Sequence, residues 1–390
     1  MSDSGALFQT LMRFFVTCIP RSAWGDIRRL VTLAWAVVGL CLSKMVNLSS
    51  WGESVESKAT HAASRARRFQ RWIDNTKIDV SAIYTALLKA ALKEWEIGMR
   101  VFVALDTSVI KGTPFVLVQV SLIYRGRAIP LAWQVLVHDS ATVGYSDYVK
   151  VLETALACLP AGLVITLLAD RGFVHADLFH WLRQRHWHYR IRLTGDTLIR
   201  LGDRQVGPVG KLCPPKGAAH FYHNIYLLGE GIGPVHLALA KLDEPHADPW
   251  YVVSDEPTDL KTLEEFGLRF DMEEYFLDDK SNGFQVEDTG LDTKDAMDRL
   301  FLVIAVATLH FTSVGVEVVK LECRHWVDTH WDRGMSYLKI GWSWLRQQNQ
   351  RNWPILSAFG LDPGPDPEPA LASRHQASLP KPKWETILLD

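Results

Sequence analysis

The chain has 390 residues, 48% hydrophobic and 22% charged, a balance that excludes disordered and fibrous classes and leaves room for two or three domains. Its net charge of −2 is unevenly spread: residues 1–100 carry 14 Lys and Arg against 8 Asp and Glu, and the remainder carries 28 against 36. Five scattered cysteines (Cys18, Cys41, Cys158, Cys213, Cys323) with no CxxC pair argue against a disulfide framework and predict reduced thiols in a cytoplasmic protein.

Residues 1–98 read as helix throughout, an all-helical N-terminal domain. Leu30–Ser43 is strongly apolar but shorter than the ~18–20 residues a bilayer span needs, so it reads as a buried core helix and no membrane partner is expected. A further helix is expected from near Ser54. In its segment Ser57–Asn75, Arg65, Arg68 and Trp72 fall at spacings of three and four, with Arg67 and Arg71 beside them. One side is then densely basic, the footprint of a helix on phosphates or of a solvated surface helix. A basic head on an acidic body fits a DNA-binding part joined to a metal-using one.

From Arg100 the period changes. Residues 99–195 read as three strands, helix, strand, helix, strand, with the second and third strands joined at Arg125-Gly126. Residues 196–258 are β-rich with little helical pattern. Helix resumes over 259–318, including a long apolar run from Lys294, and continues in 319–360. The tail, 361–390, is Pro-rich and acidic at its start and reads as disordered.

Three acids stand out. Asp106 and Asp170 each end a hydrophobic strand, where open α/β sheets build their sites. Two carboxylates on neighbouring strands repel unless one holds a proton or a hard divalent cation lies between them. The third acid lies in "FGLRFDMEEYFLDDKS". At about 100° per residue, Phe266, Arg269, Glu273 and Lys280 occupy a sector of roughly 60° on one helix face. That stripe sets a carboxylate between two cations able to bind phosphate.

"VALDTS", "LLADRGF" and "MEEYFLDDKSNGFQVE" resemble the three acid-bearing motifs of the DDE transposases of bacterial insertion sequences. The subgroup in question has a Tyr-Arg-Glu-Lys signature and a β-strand insertion, and "TLAWAVVGLCLS" and "RGMSYLKIGWSWLR" extend the resemblance to both ends of the chain. The signature spacing is kept, with Phe266 in place of its Tyr. The resemblance implies an α/β fold: a ribonuclease-H-like mixed sheet with a β-rich insertion. It implies that Asp106, Asp170 and Glu273 hold two Mg²⁺ ions, with Mn²⁺ able to substitute. Arg269 and Lys280 would contact the DNA backbone, and Phe266, lacking the hydroxyl, would lose one phosphate hydrogen bond. It further implies double-stranded DNA partners (terminal inverted repeats and target), a hairpin intermediate on the element's end, a dimer in the synaptic complex, and a bacterial, nucleoid-associated location. Trp250 would stack a flipped base, or else sit in the core of a small sheet. Arg190 and Arg192 alternate on one strand, share a face and are candidates for phosphate contact. A non-catalytic DNA-binding descendant is the alternative, with Phe266 as its support; a structure-selective nuclease on the same core is a third reading. Cys323, His325 and His330 lack zinc spacing.

Overall fold

A computed structural model describes residues 3–138, 140–202, 204–241, 248–279, 283–348, 350–370 and 383–387. The first ninety residues form six helices: α1 (Asp3–Cys18), α2 (Arg21–Trp24), α3 (Ile27–Ser43), α4 (Leu48–Ser54), α5 (Ala62–Ile73) and α6 (Val80–Ala91). Caps set several of the starts. Asp26, Asn47 and Asp79 accept hydrogen bonds from backbone N–H groups in the first turns of α3, α4 and α6. α3 is the expected core helix, with ten of its residues buried. The helix expected from Ser54 is corrected: α4 ends there and α5 begins eight residues later. A Cβ on Gly39 would stand 2.7 Å from that of Trp51, so the close crossing of α3 and α4 requires glycine.

The sheet follows. β1 (Arg100–Ile110), β2 (Phe115–Tyr124) and β3 (Arg127–Val137) form an antiparallel meander; α7 (Tyr145–Cys158), β4 (Val164–Ala169), α8 (Ala176–Gln184) and β5 (His188–Arg192) come next. β4 lies parallel to β1, and β5 parallel to β4. The near-continuous burial of β2 and β4 is that of strands covered on both faces.

The β-rich stretch supplies β6 (Leu198–Leu201), β7 (Arg204–Pro208), β8 (Ala218–Leu227), β9 (Ile232–Lys241) and β10 (Trp250–Ser254). These do not form a separate sheet. β10 pairs antiparallel with β5, giving one sheet in the order β3-β2-β1-β4-β5-β10-β9-β8-β6-β7. β11 (Lys383–Ile387) pairs parallel with β8.

Four helices complete the described residues: α9 (Leu260–Gly267), α10 (Phe270–Asp279), α11 (Lys294–Lys320) and α12 (Tyr337–Gln347). α11 is long and apolar enough to cross a membrane, yet almost all of that stretch is buried inside the chain, as the core helix onto which α3, α12 and β3 pack. Gly315 and Gly341 let the α11 and α12 backbones touch: a Cβ on either would lie 1.9 Å from a carbonyl oxygen of the other helix's segment. The start of the tail departs from expectation, because residues 361–368 are tied to the body by hydrogen bonds and ion pairs; residues 371–382 and 388–390 lie outside the described residues.

Candidate metal centre at the ends of the core strands

The parallel register pairs Leu105 with Ala169, so Asp106 and Asp170 are the next residues on adjoining strands. The third acid arrives from the other side of the chain. α9 ends at Gly267, a tight turn follows in which the Arg269 N–H donates to the Phe266 carbonyl at 3.0 Å, and α10 starts at Phe270. Glu273 thus lies in the first turn of α10, where the helix dipole favours a carboxylate.

Arg269 joins the pieces. It is 5% exposed; its Nη1 donates to Asp106 Oδ2 at 3.1 Å and its Nη2 to Glu273 Oε1 at 2.7 Å. Asp106 also accepts from the Thr107 N–H at 2.8 Å. Asp170 has no such clamp. Its Oδ1 is buried with no hydrogen-bond partner, and the nearest cation is Arg192 Nη1 at 3.9 Å. Burial pushes the Asp106 carboxyl up to about 6; Arg269 pulls against that, while Glu273 and Asp170 add to it. The shift is chiefly one of burial, and two guanidiniums, Arg269 and Arg192, stand beside the three acids.

The donor set suits a hard divalent cation, since it is all carboxylate oxygen and contains one buried oxygen that nothing else satisfies. The three acids do not yet form a closed cage. Among the described residues, the group of three with ligand atoms mutually within 4.8 Å is His188, Asp255 and Glu256, at the other edge of the sheet. The Arg269 guanidinium lies between Asp106 and Glu273 and sets their separation.

The other candidates divide sharply. Arg192 sits beside the acids, donating to the Pro249 carbonyl at 3.2 Å. Trp250 is half-buried, edge-on to Phe266 at 5.3 Å and tilted against Phe270 at 5.8 Å. Phe270, which the sequence reading passed over, is 39% exposed and carries Arg269 over its ring at 5.1 Å; its signal was its place beside Arg269 in the signature. Lys280 lies outside the described residues.

Four expectations are corrected. Phe266 is wholly buried with Ala219, Phe221, Ala238, Val252 and Leu263, so its ring packs α9 onto the sheet and does not meet phosphate. The helix break separates it from Glu273; the four-residue stripe is not one continuous helical face. Arg190 is 4% exposed and bound to Glu265 at 2.7 Å and Glu256 at 2.8 Å, an internal network and not a DNA-facing group. On α5, Arg65 and Arg68 belong to the inner side. Arg65 donates to the Thr60 carbonyl at 3.1 Å, and Arg68 lies over the rings of Trp35 and Phe69. Burial of Trp72, whose Nε1 donates to the Arg29 carbonyl at 2.9 Å, turns the helix this way and leaves Arg67 and Arg71 exposed.

No family model matches the chain, and no curated protein matches it. Among solved structures, it is similar to a piggyBac transposase synaptic complex with hairpin DNA, at 12% identity and a TM-score of 0.40, over 91% of this chain and 82% of that one. A likeness that distant assigns nothing to individual residues, and the site's own geometry has to carry the functional argument.

Proposed function

We propose that this chain is a metal-dependent DNA transposase that cuts at the ends of an insertion sequence and joins the released 3′-hydroxyl to target DNA. The observation that carries the reading is that Asp106 in β1 and Glu273 in the first turn of α10 share Arg269, while Asp170, next in register on the adjoining strand, keeps a buried oxygen with no hydrogen-bond partner. The order β3-β2-β1-β4-β5, with a leading antiparallel meander and two following parallel strands, supports a ribonuclease-H-like core. In this reading β6–β10 are the insertion and α1–α6 the DNA-binding part, with Arg67 and Arg71 as its exposed cations.

Asp106, Asp170 and Glu273 would hold Mg²⁺, or Mn²⁺ in its place; such ions lower the pKa of bound water and stabilise the leaving oxygen of a phosphodiester. Arg269 keeps α10 at the end of β1, which fixes the distance between Glu273 and Asp106. Arg192 is the cation nearest Asp170 and is set to meet a phosphate there, with Lys280 assigned a backbone contact by its place in the signature. The part-exposed pair Trp250 and Phe270 offers a stacking face for an unpaired base beside the acids. The partners are double-stranded DNA, both terminal repeats and target, and a second copy in the synaptic complex, in a bacterial cytoplasm.

The alternative, a DNA-binding descendant without catalysis, rested on Phe266. An enclosed ring at that position removes the missing phosphate bond from the argument. The deciding experiment is Mg²⁺-dependent cleavage of DNA carrying the gene's flanking ends, with wild type and Glu273→Ala compared. Cleavage that leaves a 3′-hydroxyl and vanishes in the variant is expected. Specific binding without cleavage, in Mg²⁺ or Mn²⁺, would favour the alternative.

A further inference from the structure

Leu361 anchors the start of the tail by packing and by both of its backbone groups; beyond it, among the described residues up to 370, the backbone is held only through carbonyls that accept from Tyr124, Arg125 and Arg333. Leu361 is buried, its N–H donates to the Ala91 carbonyl at 2.9 Å, and its carbonyl accepts from Trp95 Nε1 at 2.6 Å. The chain then runs Asp362-Pro-Gly-Pro-Asp366-Pro-Glu368-Pro, with no Lys or Arg before Arg374. From 362 to 370 it is half-buried or exposed. Among the described residues, no backbone N–H of this strap donates to the rest of the molecule; those of Gly364 and Glu368 turn back onto Asp362 and Asp366.

The carboxylates hold it in place. Asp362 meets Lys320 Nζ at 2.5 Å and Arg125 Nη2 at 3.2 Å, Asp366 meets Arg333 Nη2 at 3.3 Å and the Tyr337 hydroxyl, and Glu368 meets Arg324 Nε at 2.9 Å. The cations beneath form a built floor. Arg333 lies over the Tyr337 ring at 4.2 Å, and Arg125 lies between Tyr124 and Tyr337 at 5.0 and 5.9 Å. Arg125 is only 5% exposed, yet its Nε and Nη1 are buried with no partner, because the strap engages Nη2 alone. The cover is thus an incomplete match for the donors under it. A phosphate, with more acceptor oxygens than one carboxylate, would match a guanidinium fork better.

We infer that this floor is a phosphate-binding face for the backbone of duplex DNA, and that the acidic strap occupies it in place of DNA. The inference rests on the DNA reading proposed above but uses none of its acids. Arg125 follows the end of β2, and the register pairs Leu122 with Val103, towards the start of β1; the floor therefore lies at the edge of the sheet away from Asp106 and Asp170. DNA gripped here is held, not cut. The strap's ion pairs weaken as salt rises, while its carbonyls also accept from Tyr124, Arg125 and Arg333, so it competes with phosphates both by charge and as an acceptor of the floor's donors.

The test is binding of a random-sequence DNA duplex, read by fluorescence anisotropy at low salt. The variant Asp362→Asn/Asp366→Asn/Glu368→Gln should bind about tenfold tighter than wild type with a steeper salt dependence, since more phosphate contacts release more counterions. Adding Lys320→Gln should return part of the gain. A control with the same charge change at exposed acids elsewhere, Glu53→Gln/Asp196→Asn/Asp292→Asn, should gain much less. If the triple variant does not fold, Asp362→Asn alone decides, with a several-fold gain expected. Unchanged affinity in a folded strap variant, or an equal gain in the control, would overturn the inference. Glu273-dependent cleavage with no strap effect would leave the proposed function standing and remove this face. A strap effect without cleavage would do the reverse.

Discussion

Where the pairing of β1 with β4 ends, Asp106, Asp170 and Glu273 have one guanidinium in hydrogen-bonding contact. Where β1 and β5 begin, Asp255, Glu256 and Glu265 face Arg100, Arg190 and His188. The acids are equal in number and the outcomes are opposite. Glu256 accepts from both guanidinium nitrogens of Arg100 at 2.7 and 2.8 Å and from Arg190 at 2.8 Å; these bonds, Arg100 foremost, hold its carboxyl down at about 2. Asp106 is driven the other way by burial, to about 6. The compact triad His188, Asp255 and Glu256 would pass for a metal site on distance alone, but its charges are already answered. The looser triad has a buried Asp170 oxygen that no donor meets. Proximity of carboxylates marks a candidate; whether their oxygens already have donors separates a structural network from a site with room for an ion.

The contrast can be broken most severely at Arg190. Its removal as Arg190→Ala leaves Glu265, 8% exposed, and Glu256 without a shared partner, and breaking a buried pair costs about 3–5 kcal/mol. Urea denaturation should show that loss, while divalent-ion binding by the remaining folded protein is unchanged. If ion binding falls with stability, the two edges are not independent.

Asp106→Asn should act with the opposite sign. Because the folded-state carboxyl is raised, its protonation favours the fold; that stability is fully present below about pH 4 and is lost as pH rises through about 6. Above pH 6 the charged Asp106 is a burden of roughly 2 kcal/mol. In chelator, the Asn variant should be more stable than wild type at pH 8, with the gap closing towards pH 4. A gap independent of pH would mean that Arg269 neutralises the acid in full.

Glu256→Gln sharpens the other side. A depressed carboxyl stabilises the fold above its unfolded value, 4.5, and that contribution is lost as pH falls towards about 2. Solvent screening at this part-exposed position leaves about 1 kcal/mol. The variant should be less stable than wild type at pH 7 and equal to it near pH 2. The smallest effect is on α5: Arg67→Gln and Arg71→Gln should each lower the salt dependence of duplex binding by about one charge. Arg68→Gln, whose guanidinium lies on Trp35, should disturb stability instead.

Much of the core was legible in sequence because its signals are local. The strand, helix, strand order of 100–192 follows from period and turn residues, and Asp170 follows the end of β4 as expected; Asp106 does not end its strand, because β1 runs on to Ile110 against β2 and only its pairing with β4 stops at Leu105. What the sequence concealed is set by distant partners. Arg190 shares a strand face with Arg192, but its fate is decided by Glu256 and Glu265, 66 and 75 residues away. The break between α9 and α10 preserves the signature spacing while turning Phe266 into the sheet, a change that periodicity across three residues does not reveal. The insertion reads as separate strands, yet the pairing of β10 with β5 joins them to the core sheet. The strap has the composition of a disordered tail, and its order comes from arginines as far as 240 residues upstream.

The central proposal, that the acids around the unpartnered Asp170 oxygen take the metal and the hydrogen-bonded His188, Asp255 and Glu256 do not, is tested most directly by titrating Mn²⁺ into wild type, Asp170→Asn and Asp255→Asn while following the free ion by electron paramagnetic resonance. The account predicts that wild type and Asp255→Asn bind alike and that Asp170→Asn loses the site. Retained binding in Asp170→Asn together with loss in Asp255→Asn would contradict it.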